Sequence, residues 1–343
     1  MDIIWLNKYI NDVDLLADEY RLPQFLDKTV MLYPEKIAIK QKNRIIKYKE
    51  FDKQTSIIAG NLKLFGLDRQ DKVCILLPNL PEAILSFWGI ERAGLVTVLS
   101  NPAYNEQILL QQILDSDSKV IITTDVNANK VINLIDEAQL KYVFIVNTDN
   151  EEVSYNDKVL PWSELLVSNK GYRCDDIKPD KELAVLHYAA DGGIPKATIF
   201  THKNLTSNSY KIKERFKTIL KEGNETFVGV LPYFHLYGFQ LTVIYPILIG
   251  ATMLPLARYM PHSLLSFLMR EKATVMITGQ AKFRECLAQK DIDYYDLTSV
   301  KLVISDSLLM QPCLLERFEK NTGAMIVDGY GINDASSKNA LIS

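Results

Sequence analysis

The segment Leu186-His187-Tyr188-Ala189-Ala190-Asp191-Gly192-Gly193-Ile194-Pro195-Lys196 has the frame of a phosphate-gripping loop. An apolar run, Leu183 to Leu186, reads as a strand leading in, and a second apolar run through Phe200 follows the lysine. Thr201-His202 then opens a helix. A strand, a glycine-rich turn and a lysine together aim backbone N–H groups and one ammonium at a polyphosphate. Most side chains that would complete such a grip are missing. No Ser or Thr lies between Tyr188 and Lys196, and Asp191 sets a negative charge at the centre. The bland alternative is a surface turn between two strands, with Asp191 a turn residue rather than a base.

A second candidate lies near the end of the chain. Met325-Ile326-Val327-Asp328-Gly329-Tyr330-Gly331 reads as a strand running into a glycine turn, which is where α/β proteins place ligand groups. Only twelve residues follow Gly331, so a shortened version of something longer is expected. His235 stands between Phe234 and Leu236, where a lone histidine is usually a satisfied core residue. His187 and His262 are read as structural, and His202 as a helix start. Cys74, Cys174, Cys286 and Cys313 are far apart with no Cys-x-x-Cys or Cys/His cluster. They are read as reduced thiols, mostly core, and zinc is not expected.

Short apolar runs alternate with amphipathic segments from about residue 35 onward. Expected strands are Ile37–Ile39, Val73–Leu77, Val96–Leu99, Val120–Thr123, Tyr142–Val146, Leu183–Tyr188, Phe227–Val230, Thr252–Leu254, Val275–Ile277, Leu302–Ile304 and Met325–Val327. Expected helices are Tyr48–Phe65, Glu82–Ala93, Glu106–Asp115, Lys203–Leu220, Ser263–Arg270 and Pro312–Lys320. Fully apolar strands separated by helices indicate an α/β fold with largely parallel sheets covered on both faces. The polar stretches Asn147–Asp157 and Val167–Asp180 suggest a division into subdomains 1–178 and 179–343, the second carrying the glycine-rich loop.

The chain has 343 residues, 48% hydrophobic and 24% charged, with a formal net charge of −3. That length builds a large core, and the charge provides no global field toward nucleic acid or an anionic membrane. The N-terminus lacks the basic and apolar regions of a secretory signal. The longest apolar stretch, Leu241 to Leu256, is interrupted by Pro246, Gly250 and Pro255 and is too short to span a bilayer. A cytoplasmic protein is the expectation. Neither G-x-x-x-x-G-K-[ST] nor G-x-G-x-x-G occurs, against a P-loop or dinucleotide protein.

Taken in order, the motifs resemble the acyl-adenylate-forming ligases, particularly acyl-CoA and 4-coumarate–CoA-like ligases, from about Leu22 to Ser343. Ile46 to Phe51 is similar to the family's "T-Y-x-E-L", and Ala93-Gly94 with Ser100-Asn101-Pro102-Ala103-Tyr104 to its "A-G…N-P-x-Y". Asp115-Ser116-Asp117-Ser118-Lys119 and Trp162-Ser163-Glu164-Leu165-Leu166 also fit. Tyr188 to Ala197, with Thr201-His202-Lys203-Asn204-Leu205, stands where the family has "Y-T-S-G-T-T-G-x-P-K-G…T-H-x-N-L". Leu231-Pro232-Tyr233-Phe234-His235-Leu236-Tyr237-Gly238 resembles "L-P-x-F-H-x-x-G". Asp328-Gly329-Tyr330-Gly331-Ile332-Asn333-Asp334-Ala335 resembles "x-G-Y-G-x-T-E-A".

The resemblance implies the fold of that family's N-terminal half and a reaction in two steps. MgATP activates a carboxylate to an acyl-AMP, and the acyl group passes to the thiol of CoA or a carrier-protein phosphopantetheine. It implies that Lys196, Asn333 and Asp334 act at the phosphates, with Asp334 the magnesium ligand. Ala189, Ala190, Asp191, Gly192, Gly193, Ser305, Asp306, Ser307, Tyr330 and Gly331 would line the nucleotide. His235, Tyr237, Gln240, Gly279 and Gly329 would line an acyl pocket suited to an apolar or aromatic group. The family's C-terminal lid domain, with its lysine, has no counterpart in this sequence.

Three nucleotide motifs depart from the pattern. The loop is one residue shorter and has lost its hydroxyls, each worth roughly 1.5–3 kcal/mol against a charged phosphate oxygen. Asp191 adds repulsion of roughly 4 kcal/mol for a unit charge pair about 4 Å apart in a half-shielded site. Asp306-Ser307 replaces two small residues of the adenine turn, and Asn333-Asp334 replaces the "T-E" pair. Two readings follow. One is a ligase impaired in ATP use. The other is a non-catalytic relative that binds an acyl group, an acyl thioester or an acyl carrier protein. Apolar surface left at Gly329–Ser343 leads to the expectation of a partner or a homodimer.

Overall fold

The alternation of side chains along each strand sets the layers. On β3 (Lys72–Leu76), Val73 and Ile75 enter one core while Cys74 and Leu76 enter another, because successive strand residues point to opposite faces. The computed structural model describes residues 20–149, 151–189, 196–306 and 312–329.

Two seven-stranded sheets result. One contains β3, β4 (Val96–Leu99), β5 (Ser118–Thr124), β6 (Tyr142–Val146), β7 (Val159–Pro161), β8 (Leu183–Ala189) and β9 (Lys196–Thr201), in the order β7-β6-β5-β3-β4-β8-β9. Its pairs are parallel except the antiparallel β8–β9. The other has the order β14-β13-β12-β10-β11-β1-β2. Its strands are β1 (Ile37–Gln41), β2 (Arg44–Lys47), β10 (Thr226–Gly229), β11 (Thr252–Pro255), β12 (Val275–Thr278), β13 (Leu302–Ser305) and β14 (Met325–Asp328). Here the hairpin β1–β2 is antiparallel and the other pairs are parallel. Sheet membership is therefore not sequential: the chain builds β1–β2, leaves for the first sheet, and returns at β10.

The space between the sheets is filled by α1 (Leu22–Leu32), α2 (Tyr48–Leu64) and α3 (Pro81–Arg92), whose Phe25, Phe51, Phe87 and Trp88 join strand residues such as Ile75, Phe227 and Ile304 in one shared core. Helix α3 is buried over its length except Glu82, and Arg92 at its end is fully enclosed. The Arg92 guanidinium is offset by Asp27 at 2.7 Å, Asp52 at 2.6 Å and the Asp52 carbonyl at 2.8 Å, as a buried charge requires. Outer cores lie against α4 (Glu106–Ser116) on the first sheet and α8 (Pro261–Glu271) on the second.

The expected start at Thr201-His202 is a capping box opening α6 (His202–Phe216). Thr201 Oγ1 accepts from the Asn204 amide and Asn204 Oδ1 from the Thr201 amide, so two of the orphan N–H groups of that turn are met. Residues 236–248, expected only as an interrupted apolar stretch, form helix α7. It consists of α-turns Leu236–Phe239 and Tyr245–Leu248 around a π segment, Gln240–Ile244. Pro246 provides no N–H to the preceding turn, and the wider π turn accommodates this. Three cysteines are buried thiols and Cys313 is exposed. Among the described residues no helix is long and apolar enough to cross a membrane, and no cluster of His, Cys, Asp or Glu could hold a metal.

Candidate functional site

Parallel strands in register end together. Thr278, Ser305 and Asp328 are side by side at the carboxyl ends of β12, β13 and β14. The next residues, Gly279, Asp306 and Gly329, therefore form a rim on the edge where open α/β sheets hold ligands. The neighbouring β10 continues through Val230 into the loop 231–235, which leads to α7.

That loop is fixed from the other sheet. Asn79, buried in the turn after β3, accepts from the Tyr233 amide at 2.8 Å and donates to the Leu231 carbonyl at 2.9 Å. The loop in turn presents His235 and, at the second residue of α7, Tyr237. His235 is exposed at the mouth, its ring 5.2 Å from that of Phe234 and 6.4 Å from that of His187. Alternation on β8 sends Leu186 and Tyr188 into the outer core, which turns His187 inward; it is 2% exposed. Burial, then the nearby His235, holds His187 down to about 4, against a hydrogen bond with the Phe234 backbone. Partial burial also lowers the pKa of His235, with Asp306 opposing and Lys282 reinforcing. Both imidazoles are thus neutral at pH 7 and can each donate from one nitrogen and accept at the other.

Tyr237 forms the floor. Its phenol is pushed up by burial and then by the Asp306 and Asp328 carboxylates. The hydroxyl is buried and has no hydrogen-bond partner among the described residues. It rests against Gly329, where an added Cβ would overlap the hydroxyl and fall 2.6 Å from Cζ. Only glycine allows this approach. Gly329 is anchored by its amide, which donates to the Ser305 carbonyl at 2.6 Å.

Asp306 stands on the same face as Ile304, two residues before it, and so toward the pocket. Its Oδ1 accepts from the Gln280 amide at 2.8 Å, at the start of α9 (Gln280–Leu287). Its Oδ2 lies 3.2 Å from where a Cβ on Gly279 would be. The carboxylate, which belongs to the turn expected to receive adenine, thus lies over Gly279. Lys282 is turned away, donating to the Val230 carbonyl at 3.0 Å with its ammonium over the Tyr259 ring.

The structure brings His235, Tyr237, Gly279, Ser305, Asp306 and Gly329 together. Gln240 is directed elsewhere: its Nε2 donates to the Leu205 carbonyl and to Ser209 Oγ on α6. Lys196 is exposed at the start of β9, opposite Ala189 in the ladder. With Tyr188, Asp115, Gln107 and Gln111 it lines an open cleft of about 750 Å³. Ala190, Asp191, Gly192, Gly193, Ser307, Tyr330, Gly331, Asn333 and Asp334 lie outside the described residues. Sequence reasoning missed Asn79, which carried no signal beyond its place between two prolines. It read His187 as structural, and only the meeting of two sheets puts that ring beside His235.

A family model described as "AMP-binding enzyme" matches residues 26–338. The long-chain-fatty-acid–CoA ligase of Bacillus subtilis (strain 168) is 28% identical over 356 residues, covering 97% of this chain and 63% of that protein. 4-Coumarate–CoA ligase 4 of Arabidopsis thaliana is 26% identical over 298 residues, covering 86% and 52%. The chain thus spans less than two thirds of these relatives. Among solved structures, the anthranilate CoA ligase AuaEII in complex with anthranoyl-AMP superposes with a TM-score of 0.80 at 18% identity, over 91% of this chain and 60% of that one. The N-terminal domain of FACL13 from Mycobacterium tuberculosis gives 0.78 at 17% identity, over 91% and 76%. At these identities the structural likeness shows the fold.

Proposed function

The chain belongs to the AMP-binding enzyme family, and on that premise we propose that it is an acyl- or aryl-CoA ligase-like protein that binds a carboxylic acid and is impaired in its use of ATP. The observation that supports the first part is the rim at the strand ends, where Tyr237 packs on Gly329 and Asp306 lies over Gly279. The carboxyl ends of the strands are where open α/β sheets hold ligands. The second part is supported by Asp306. A nucleotide base at that turn meets a carboxylate fixed over Gly279 instead of bare backbone, and the α-phosphate would approach a like charge. The Asp306 carboxylate does not fit an adenylate at that turn.

Asp306 also favours a second reading, a non-catalytic relative that retains the pocket and binds an acyl thioester or an acyl carrier protein. Calorimetry with MgATP and carboxylate-dependent pyrophosphate exchange separate the two. Slow but acid-dependent exchange supports the impaired ligase. Exchange at a rate normal for a ligase refutes both the impairment and the second reading. No exchange, with thermal stabilisation by CoA thioesters or a holo carrier protein, supports the second. A chain that none of these ligands stabilises sinks both.

A further inference from the structure

On the inner face of β8, Val185 enters the shared core. Two residues on, the same face carries His187, an imidazole only 2% exposed. A buried polar group is costly unless it is hydrogen-bonded, and an apolar residue here would extend the core without that cost. The backbone at this point is held from both sides, paired with Leu99 of β4 and Thr198 of β9. His187 is therefore a side chain on a rigid base, and it is directed at the other sheet. Its ring lies 6.4 Å from that of His235. It also hydrogen-bonds the Phe234 backbone in a way that favours the protonated ring, as a bond donated to a carbonyl does.

Asn79 grips the loop 231–235 at Leu231 and Tyr233. Beyond Tyr233 the loop has its own bond, from the His235 amide to the Pro232 carbonyl at 3.0 Å. That bond closes a turn without tying it to the first sheet. His187 supplies the tie at Phe234, one residue before His235. A loop gripped near both ends from a rigid sheet keeps its last side chain in one place, as a site built on loops requires.

We propose that His187 is a positioning residue: it holds the end of the loop 231–235 so that His235 stays fixed at the strand-end rim, where a carboxylic acid is held. The place of the acid rests on the function proposed above; the tie between the two sheets does not.

The test uses ring-proton NMR and calorimetry on the full chain. With four histidines in the sequence, each imidazole gives its own signal, and that of His202, a fully buried ring elsewhere, reports that a variant is folded. His187→Phe keeps a ring and loses the N–H; His187→Met loses the N–H on a more adaptable side chain; His187→Gln keeps an N–H donor. His187 is held down to about 4, so above that pH none of these changes removes a charge from beside His235, and Asp306 and Lys282, the charges that act on it, are the same in all. A change in His235 then reports its position. In His187→Phe and His187→Met the released loop exposes His235, whose titration moves up toward the ordinary imidazole value of about 6.5. Affinity for benzoate or hexanoate, the probes used, falls about three- to tenfold, as loss of one hydrogen bond gives. His187→Gln restores both. An unmoved His235 in the two variants without the N–H, or a change that His187→Gln shares, overturns the proposal. A moved His235 with acid affinity unchanged makes the tie structural only and overturns the positioning role. If the unsubstituted chain binds neither acid while His235 responds as expected, the tie stands and the acid reading loses its support.

Discussion

Replacing Gly329 with alanine should destabilise the protein through one contact that a second substitution can relieve. The φ of Gly329 lies outside the left-handed region, so alanine brings no backbone strain there. What it brings is a methyl group between Ile304 Cγ2, 3.1 Å away, and the Tyr237 ring, with Cζ at 2.6 Å and the hydroxyl overlapping. Carbon atoms in good contact are about 3.5–4.0 Å apart, so the ring has to withdraw by about 1 Å even without its oxygen, and further with it. Overpacking of this kind costs about 1–3 kcal/mol. The smaller entropy of the unfolded alanine chain offsets about 0.4–1 kcal/mol of that. A net loss of about 1–2 kcal/mol is expected. Tyr237→Phe alone removes an unpartnered hydroxyl and should be neutral or stabilising by about 1 kcal/mol. In that background Gly329→Ala should cost roughly half as much, a coupling near 1 kcal/mol and within the usual range for residues in contact. Urea denaturation of the four proteins, followed by tryptophan fluorescence, measures this. Effects that add to within about 0.3–0.5 kcal/mol would refute the packing of Tyr237 on Gly329.

Arg92→Met removes a fully enclosed guanidinium from Asp27 and Asp52. Both acids reach water, so the loss should fall near the low end for a broken buried pair, about 3 kcal/mol; a change under about 1 kcal/mol in denaturation would show that the network holds little. Asn79→Ala leaves the Tyr233 amide without its acceptor and should cost about 2 kcal/mol, with weaker binding of any acid at the pocket; unchanged binding would separate the loop 231–235 from the site. Stability should fall as pH drops from about 6.5 toward 4. Burial holds His187 down to about 4 and His202 down to about 3, so the unfolded chain binds more protons across that window. Glu91 acts in the opposite sense. Its buried carboxyl is raised well above the usual range, so its contribution is present at low pH and is lost as pH rises past about 4.5. Burial disfavours the charged form of both Glu91 and His202, which weighs against an ion pair at their 3.7 Å approach. Glu91→Gln should therefore stabilise the protein at pH 7 and steepen the acid loss; a destabilised variant at pH 7 would show that Glu91 is ionised.

The strands of both sheet interiors were readable because each is a short apolar run, as in Val275–Thr278 and Tyr142–Val146. Two strands escaped because they lie at sheet edges with a partner on one side and mixed composition: Arg44–Lys47 and Val159–Pro161. Lys196 was read as the end of a glycine-rich turn, whereas it opens an antiparallel strand. The helix over 236–248 was hidden by Pro246 and by burial on every side, which erases the periodicity of an amphipathic face. In the site, glycines and aromatics could be placed from motif order. The pairing of His187 with His235, the Asn79 clamp and the seat of Asp306 at the start of α9 depend on which strands become neighbours. No local pattern encodes that.

The return of the chain to its first sheet has a consequence for assembly. Strands β3 to β9 are contiguous in the chain and can pair as soon as they exist. The hairpin β1–β2 is made first, yet Ile39 finds its partner Met253 only after the whole first sheet has been synthesised. Closing so long a loop adds about 0.6 kcal/mol of entropy cost for each doubling of its length, and such non-local pairing is slow. Until then Ile39 and the neighbouring Ala38 remain without the core that buries them. Hydrogen-exchange labelling during refolding would read this order, with protection of β3 to β8 preceding that of β1. The site at the strand ends is thus among the last parts of the protein to form, since its rim belongs to the sheet that closes second.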